Sequence, residues 1–360
     1  MDFEIKLAET SALGQAGQRV TLSLQPQDVH DATELPTYLA GYNPPGYRAD
    51  EMSPPILVDN DNDKYRTFDS DDAFRRVDVK GTISGAVPEV DPKSALRSYK
   101  VIDRYVGSFV PRVTELQTGN NYRPRMAAAR RARRAIELDR ELDVADLICD
   151  PTNWDAAVIT PAGLEWDNSG GTQDPVRDMQ LAIEKSAQQV TEIWMNQRVA
   201  FALLRSPSVR DQMRQMLGDG AAPAAMMSVQ NAGSNGVTGD FAIPGLPPIK
   251  VVASKVKSLT TTALDYVFRD PDLTSAAQFD VVVLVHRPPG IPTDGEDIAS
   301  TYTFRRRGPS GTGFEAREYF VDGRGALGGT MIVVSQADEA VITGTNVGGI
   351  ITDVTANANP

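Results

Sequence analysis

The stretch MAAARRARRAIELDRELDVADLIC, Met126–Cys149, decides how this chain is read. Pro124 stands just before it and Asp150-Pro151 just after it, a start that tolerates proline and a stop that proline enforces. Ala128, Ala132, Ala135, Leu138 and Leu142 recur at three or four residues, the spacing of one apolar helix face, while Arg130, Arg134, Glu137 and Glu141 gather opposite. Roughly 24 residues rising about 1.5 Å each make a rod of about 36 Å. The prediction is a spine, longer than an ordinary globular helix.

The charged side of that rod has two readings. Arg130 through Leu142 holds five arginines and three acids, and Arg133 finds Glu137 four residues on, so part of the basic charge has a partner on its own surface. A solvated or intersubunit face and a nucleic-acid contact both fit. The chain as a whole carries 36 Lys and Arg against 48 Asp and Glu, a net charge of -12, so its field repels phosphate and any DNA contact would be local and weak. Arg130, Arg133, Arg134, Glu137 and Glu141 are therefore interface candidates. Arg305, Arg306 and Arg307 join them, a basic patch at the end of the strand-like TYTFRRR at 301–307, suited to a neighbouring subunit's acids or to nucleic acid.

Outward from the spine, residues 1–75 are polar and broken by prolines, with PPGY at 44–47, SPPI at 53–56 and DNDND at 59–63. They suit an extended arm that pairs with something larger. VDVKGTISGAVPEVD and SYKVIDRYVGSFVPR then read as a long β excursion and its return, too thin to form a core alone. Beyond the spine, Asp174 is a predicted N-cap with Pro175 at N1, and PVRDMQLAIEKSAQQVTEIW reads as helix running into WMNQRVAFALLRS. Met179, Ile183, Val190, Ile193, Trp194 and Phe201 recur there at helical spacing, as core. SVRDQMRQML makes a further short helix, 219–240 a loop, and IKVVAS, FDVVVLVHR, TYTFRRR and GTMIVVSQADEAVITG read as strands. The class is α+β, and the lack of a regular βα repeat argues against doubly wound and barrel enzymes.

Chemistry is sparse. His30 and His286 have no metal-ligand spacing, and His286 reads as structural. The single cysteine, Cys149, excludes an intramolecular disulfide and reads as a small buried hydrophobe. No nucleophile elbow, Walker A loop or dinucleotide turn occurs, VDGRGALGGT at 321–330 is a turn between strands, and DNDND lacks the Gly and distant Glu of a calcium loop. No catalytic residue, cofactor or metal site is expected, and neither a secretory signal nor a membrane span is read.

The order of pieces, with the phrases ELDRELDVADLICDPTNW, DPVRDMQLAIEKSAQQV, WMNQRVAF with Asn196, ALLRSPSVRDQM, GLPPIKVVASKV, TYTFRRRG and MIVVSQADEAVITG, resembles the HK97-type major capsid proteins of tailed bacteriophages, nearest the lambda-like major head proteins. The resemblance covers nearly the whole chain. It implies an N-terminal arm over 1–75, an E-loop over about 76–98, a P-domain over 99–174 with its spine helix at 126–149, an A-domain over 175–300, and returning strands over 301–360. It also implies a structural protein of the virion capsid, assembled in the host cytoplasm. Pentamers and hexamers would close into an icosahedral shell around packaged double-stranded DNA, with a portal protein, a scaffold and a decoration protein as further partners, weak non-specific DNA contact and no membrane. One family variant joins subunits through a loop lysine and a P-domain asparagine. Lys80 lies in the expected loop, but no asparagine partner is identified, so the chain is read as non-enzymatic. The alternatives are an encapsulin-like compartment shell, which usually lacks so long an arm, and a phage tail or decoration protein, which is usually β-rich throughout.

Overall fold

The computed structural model describes residues 29–30, 39, 46–68, 94–117, 123–168, 173–217, 240–257, 264–269, 280–288, 299–308, 313–322 and 327–355. Two sheets share one long helix. The larger sheet runs β1 (Val29–His30), β13 (Phe314–Val321), β14 (Gly329–Ile342), β12 (Thr301–Arg306) and β2 (Pro55–Val58), with β5 (Ile102–Pro111) on the opposite edge of β14. The smaller runs β6 (Ile159–Pro161), β15 (Gly348–Thr352), β11 (Val282–Val285), β7 (Glu192–Asn196) and β8 (Ile249–Val252). Two separate hairpins pair β3 (Asn62–Phe68) with β4 (Ser94–Lys100) and β9 (Lys255–Lys257) with β10 (Leu264–Tyr266).

The helices are α1 (Ala49–Met52), α2 (Arg112–Gln117), α3 (Pro124–Cys149), α4 (Pro175–Lys185), α5 (Gln197–Arg205) and α6 (Pro207–Leu217). The long helix expected around 126–149 is α3, with Pro124 at its first position and Asp150-Pro151 ending it. Its buried residues come in pairs four apart: Ala128 and Ala129, Ala132 and Arg133, Ile136 and Glu137, Arg140 and Glu141, Val144 and Ala145, Ile148 and Cys149. Four residues turn a helix by about 40° beyond a full circle, so this stripe winds through about 200° along the rod. The winding lets one helix serve two cores. Ala128, Ala129, Ala132 and Ile136 pack on Val110, Ala316, Ile332 and Val334 of the larger sheet. Val144, Ala145, Ile148 and Cys149 pack with Trp154, Trp194, Val252, Val283 and Ile350 of the smaller sheet's surroundings.

The smaller sheet is buried on both faces, and its residues alternate accordingly. Trp194, Val283, Val285 and Ile350 point to the α3 side, while Ile193, Met195, Val282, Leu284 and Ile351 meet Met179, Val199, Leu203 and Val209 of α4 to α6. Here the sequence expectation of one helical run fails. Helix α4 ends at Lys185, Ser186 caps it in extended conformation, and Glu192–Asn196 is a strand hydrogen-bonded to β8 and β11. Val190, Ile193 and Trp194 are core as expected, but the pairing partners on both sides decide for strand over helix. Asp174 and Asn196 both act as N-caps, accepting from Arg177 N at 3.3 Å and Val199 N at 2.9 Å.

At Gly348 the backbone takes φ +105, and a Cβ there would lie 2.3 Å from the Leu284 carbonyl oxygen. Gly348→Ala is expected to cost about 2–4 kcal/mol through combined strain and clash, read as a shift of the urea unfolding midpoint.

Candidate assembly surfaces and a buried charge cluster

Between its two apolar cores, α3 passes through a section where the buried side chains are charged. Arg140, 2% exposed, is the centre. Its guanidinium binds Glu137 at 2.5 Å and Asp50 of α1 at 2.6 Å, and its Nε meets Asp338 of β14. Arg305 of β12 reaches the same two acids, Asp50 at 2.5 Å and Asp338 at 3.8 Å. Arg104 of β5 closes the other side, binding Asp338, Asp143 and, at 3.0 Å, Asp139. Five elements from distant parts of the sequence therefore meet through alternating charges.

The register of the larger sheet makes room for the cluster. Arg305 pairs with Asp338 and Phe314 with Gln336, so β12 and β13 run in succession along one edge of β14. Gly313, just before β13, takes φ +74, where a Cβ would sit 2.6 Å from Arg305 Cδ. Only glycine gives the arginine this path.

Burial works to raise the Asp50 carboxyl, but the Arg140 and Arg305 guanidinium groups outweigh it and hold the pKa below the usual range. Arg133 differs: burial pushes it down, its ion pair with Glu137 is long at 3.6 Å, and its Nε and Nη1 have no hydrogen-bond partner among the described residues. Its guanidinium lies instead over the Phe314 ring at 4.1 Å. Glu141 is completely buried and pushed up to about 7 by that burial, against hydrogen bonds donated by Arg48 N at 2.8 Å and Ser254 Oγ at 3.1 Å.

These placements correct part of the sequence reading. Arg133, Glu137 and Glu141 are buried within the chain's own fold, because the winding stripe carries that side of α3 into the gap between the sheets, and Arg305 of β12 is buried beside them. Ala135, expected on the dry face, is exposed for the same reason. Arg130 and Arg134 are exposed. Arg306 is half-buried and Arg307 exposed, and both pair within the chain, Arg306 with Asp61 at 3.1 Å and Asp103 at 2.6 Å, Arg307 with Asp59 at 3.7 Å. Lys80 and most of 76–98 lie outside the described residues, as do His30's side chain and nearly all of 219–240. Asp50, Arg104 and Asp338 were not singled out from sequence.

His286 Nδ1 is 2.6 Å from the Gln189 carbonyl, and Cys149 is buried as expected. Among the described residues no group of three His, Cys, Asp or Glu could hold a metal, and no helix is long and apolar enough to cross a membrane. Large apolar side chains are exposed on the β5 and α2 side, including Tyr105, Leu116 and Ile102, and on the outer strand of the first hairpin at Leu96. That hairpin leaves Ala95 to Ser98 exposed, and it is anchored by Tyr99, stacked 4.2 Å from Phe304, and by Tyr65, 5.2 Å from the same ring.

No family model matches the chain, and no curated protein matches it. Solved structures do. A phage-related protein from Bordetella bronchiseptica RB50 aligns with TM-score 0.61 at 17% identity, covering 90% of this chain and 97% of that one. A protein assigned as a prophage capsid protein in E. coli CFT073 aligns with TM-score 0.51 at 12% identity, covering 90% and 99%. The capsid of a native GTA particle aligns with TM-score 0.50 at 9% identity, covering 88% and 92%. The chain thus has the mixed helix-and-sheet fold of phage capsid proteins, the class the sequence resemblance implied.

Proposed function

We propose that this chain is a major capsid protein of a tailed bacteriophage or prophage, a structural and non-catalytic subunit of the virion. Copies assemble in the host cytoplasm as pentamers and hexamers of an icosahedral shell around packaged double-stranded DNA. The observation that carries this reading is the breadth of the fold match, which spans 90% of this chain and nearly all of a phage-related protein and a prophage protein.

The domain reading follows the same frame. Residues 1–75 are the N-terminal arm with its adjoining extended segment, 76–98 the E-loop, 99–174 the P-domain with α3 as spine, 175–300 the A-domain, and 301–360 the returning strands. Two features support it. Strand β3 precedes the assigned loop and β4 overlaps its end, and the two form a thin ribbon that buries little within its own chain. Pro55–Val58 adds to the larger sheet as a single parallel strand, the pairing expected of an arm. Such segments gain stability by wrapping neighbours, and heterologous contacts of this kind close into rings. Arg130, Arg134 and Arg307 remain as exposed interface residues, with Lys80 in the assigned loop. A portal protein, a scaffold and a decoration protein complete the partners, and contact with packaged DNA is weak and non-specific.

The test is negative-stain microscopy of the chain expressed alone and concentrated. Closed shells, tubes or five- and six-fold rings are expected, and a uniform monomer at every salt concentration would overturn the reading. Deleting residues 76–98 is expected to leave soluble chain that forms no closed shells. Normal shells from that deletion would remove the E-loop assignment.

A further inference from the structure

The exposed side of α3 is sorted by charge. Its first half presents Arg130, Arg131 and Arg134 to solvent, and its second half Asp139, Asp143 and Asp146. This order opposes the helix macrodipole, which favours acids near the N-terminus and bases near the C-terminus at about 0.3–1 kcal/mol each. The first turn holds no acid and the last turn no base. Arg131 and Arg134 have no ion-pair partner among the described residues, whereas Arg104 already holds Asp139 and Asp143. A charge order that weakens the isolated helix calls for a source of compensation outside it.

Bordering this exposed side runs a narrow stripe, Arg131, Ala135, Leu138, Leu142 and Asp146, at spacings of three and four, whose two leucines also pack partly on the chain's own core. Arg131, Ala135 and Asp146 are exposed, and Leu138 and Leu142 are half-buried, so the stripe is apolar in its centre and oppositely charged at its ends. Arg131 and Asp146 stand about 22 Å apart along the axis. Turned end for end, the stripe complements itself.

We propose that α3 packs against α3 of a second copy, antiparallel about a two-fold axis that passes between Leu138 and Asp139. In that register Arg131 faces the partner's Asp146, Ala135 faces the partner's Leu142, and the two Leu138 side chains meet beside the axis. Residue i meets residue j and j meets i, as an isologous contact requires. The arrangement supplies what each chain lacks. Burial and then the neighbouring Asp143 push the Asp146 carboxyl upward, with Arg269 opposing and Asp150 adding to the rise, so a further cation beside it relieves repulsion. The two macrodipoles also run in opposite directions. Nucleic acid is the competing occupant of the arginines, but it would gain nothing from the aspartates or the leucines and is repelled by the net charge of -12.

One helix pair buries less than the roughly 1,200 Å² of a stable complex, so alone it is weak and salt-sensitive, and repetition in an assembly strengthens it. The inference takes from the capsid reading only that copies meet. Its test scores particles by microscopy and pairing by cross-linking, so either can fail without the other.

Leu138→Cys in the full chain is oxidised and compared with Glu184→Cys, an exposed position on α4. The native Cys149 is buried and gives a low background. Disulfide dimers are expected at least about ten-fold faster at 138, since paired helices raise the local thiol concentration. Adding Arg131→Asp removes that advantage, and adding Asp146→Arg to the Arg131→Asp chain restores it. Equal rates at 138 and 184 would overturn the proposal. So would an advantage at 138 that survives Arg131→Asp, or loss of co-purifying nucleic acid in Arg131→Asp with cross-linking unchanged, which would assign the arginines to phosphate. A restored rate in the swapped pair excludes misfolding as the cause of the loss.

Discussion

Arg140→Leu is expected to destabilise the unassembled chain by about 3–5 kcal/mol, the cost of breaking a buried ion network from its centre. Among the described residues, Arg140 is the one cation that touches Glu137, Asp50 and Asp338 together. Its loss leaves Glu137 with only the long contact to Arg133, and leaves Asp50 and Asp338 to Arg305 and Arg104. The comparison is Arg306→Leu. Arg306 also contacts two acids, Asp61 and Asp103, but its side chain and both partners are solvent-accessible, so about 0–1 kcal/mol is expected. Urea unfolding of the two variants measures the contrast. Similar small losses for both would mean that the apolar cores on either side hold α3 without the cluster.

The second large effect is a dependence on pH traced to one carboxyl. Glu141 titrates near 7 in the fold against 4.5 when unperturbed, so between those values the folded chain binds more protons than the unfolded one. Stability from this group is therefore fully present below about 4.5 and declines as pH rises through about 7. The total is on the order of 3 kcal/mol. Glu141→Gln keeps an acceptor for Arg48 N and Ser254 and removes the titration. The variant is expected to match wild type near pH 4.5 and to exceed it near pH 8, as read by urea midpoints across that range. A wild type and variant whose midpoints move in parallel would place the titrating group elsewhere.

Much of α3 is legible in the sequence because its limits are set locally, by Pro124 and Asp150-Pro151. Which side of it turns inward is not local. A stripe repeating every four residues rather than every 3.6 winds around the rod, and one fixed face read from Ala128 to Leu142 puts Ala135 inside and Glu141 outside, the reverse of what the two sheets require. The strand Glu192–Asn196 was read as helix for a related reason. Buried on both faces, it shows continuous apolar character without alternation, and only β8 and β11 decide it. Phe314–Val321 went unread because its outward residues include Glu315, Arg317 and Tyr319, so charge hides its inward Phe314 and Ala316. For the cluster, one signal was present: the polar run Ser335 to Glu339 inside the apolar strand of GTMIVVSQADEAVITG. A buried strand keeps such a run only where partners wait, and those partners, Arg104, Arg140 and Arg305, are scattered too widely for spacing to connect them.

The order in which the larger sheet draws on the chain has a consequence for synthesis. Its β2 and β5 strands are made early, yet their pairing partners, β12 and β14, arrive some two hundred residues later. Residues 175–285 can pack α4 to α6 onto β7, β8 and β11 as they emerge from the ribosome. Helix α3 and the strands before it wait with one apolar flank open until residues 301–342 have followed. A topology this non-local folds slowly and leaves a sticky nascent surface for the time translation takes, so the interval before residues 301–342 emerge is the one in which the chain is most exposed to aggregation.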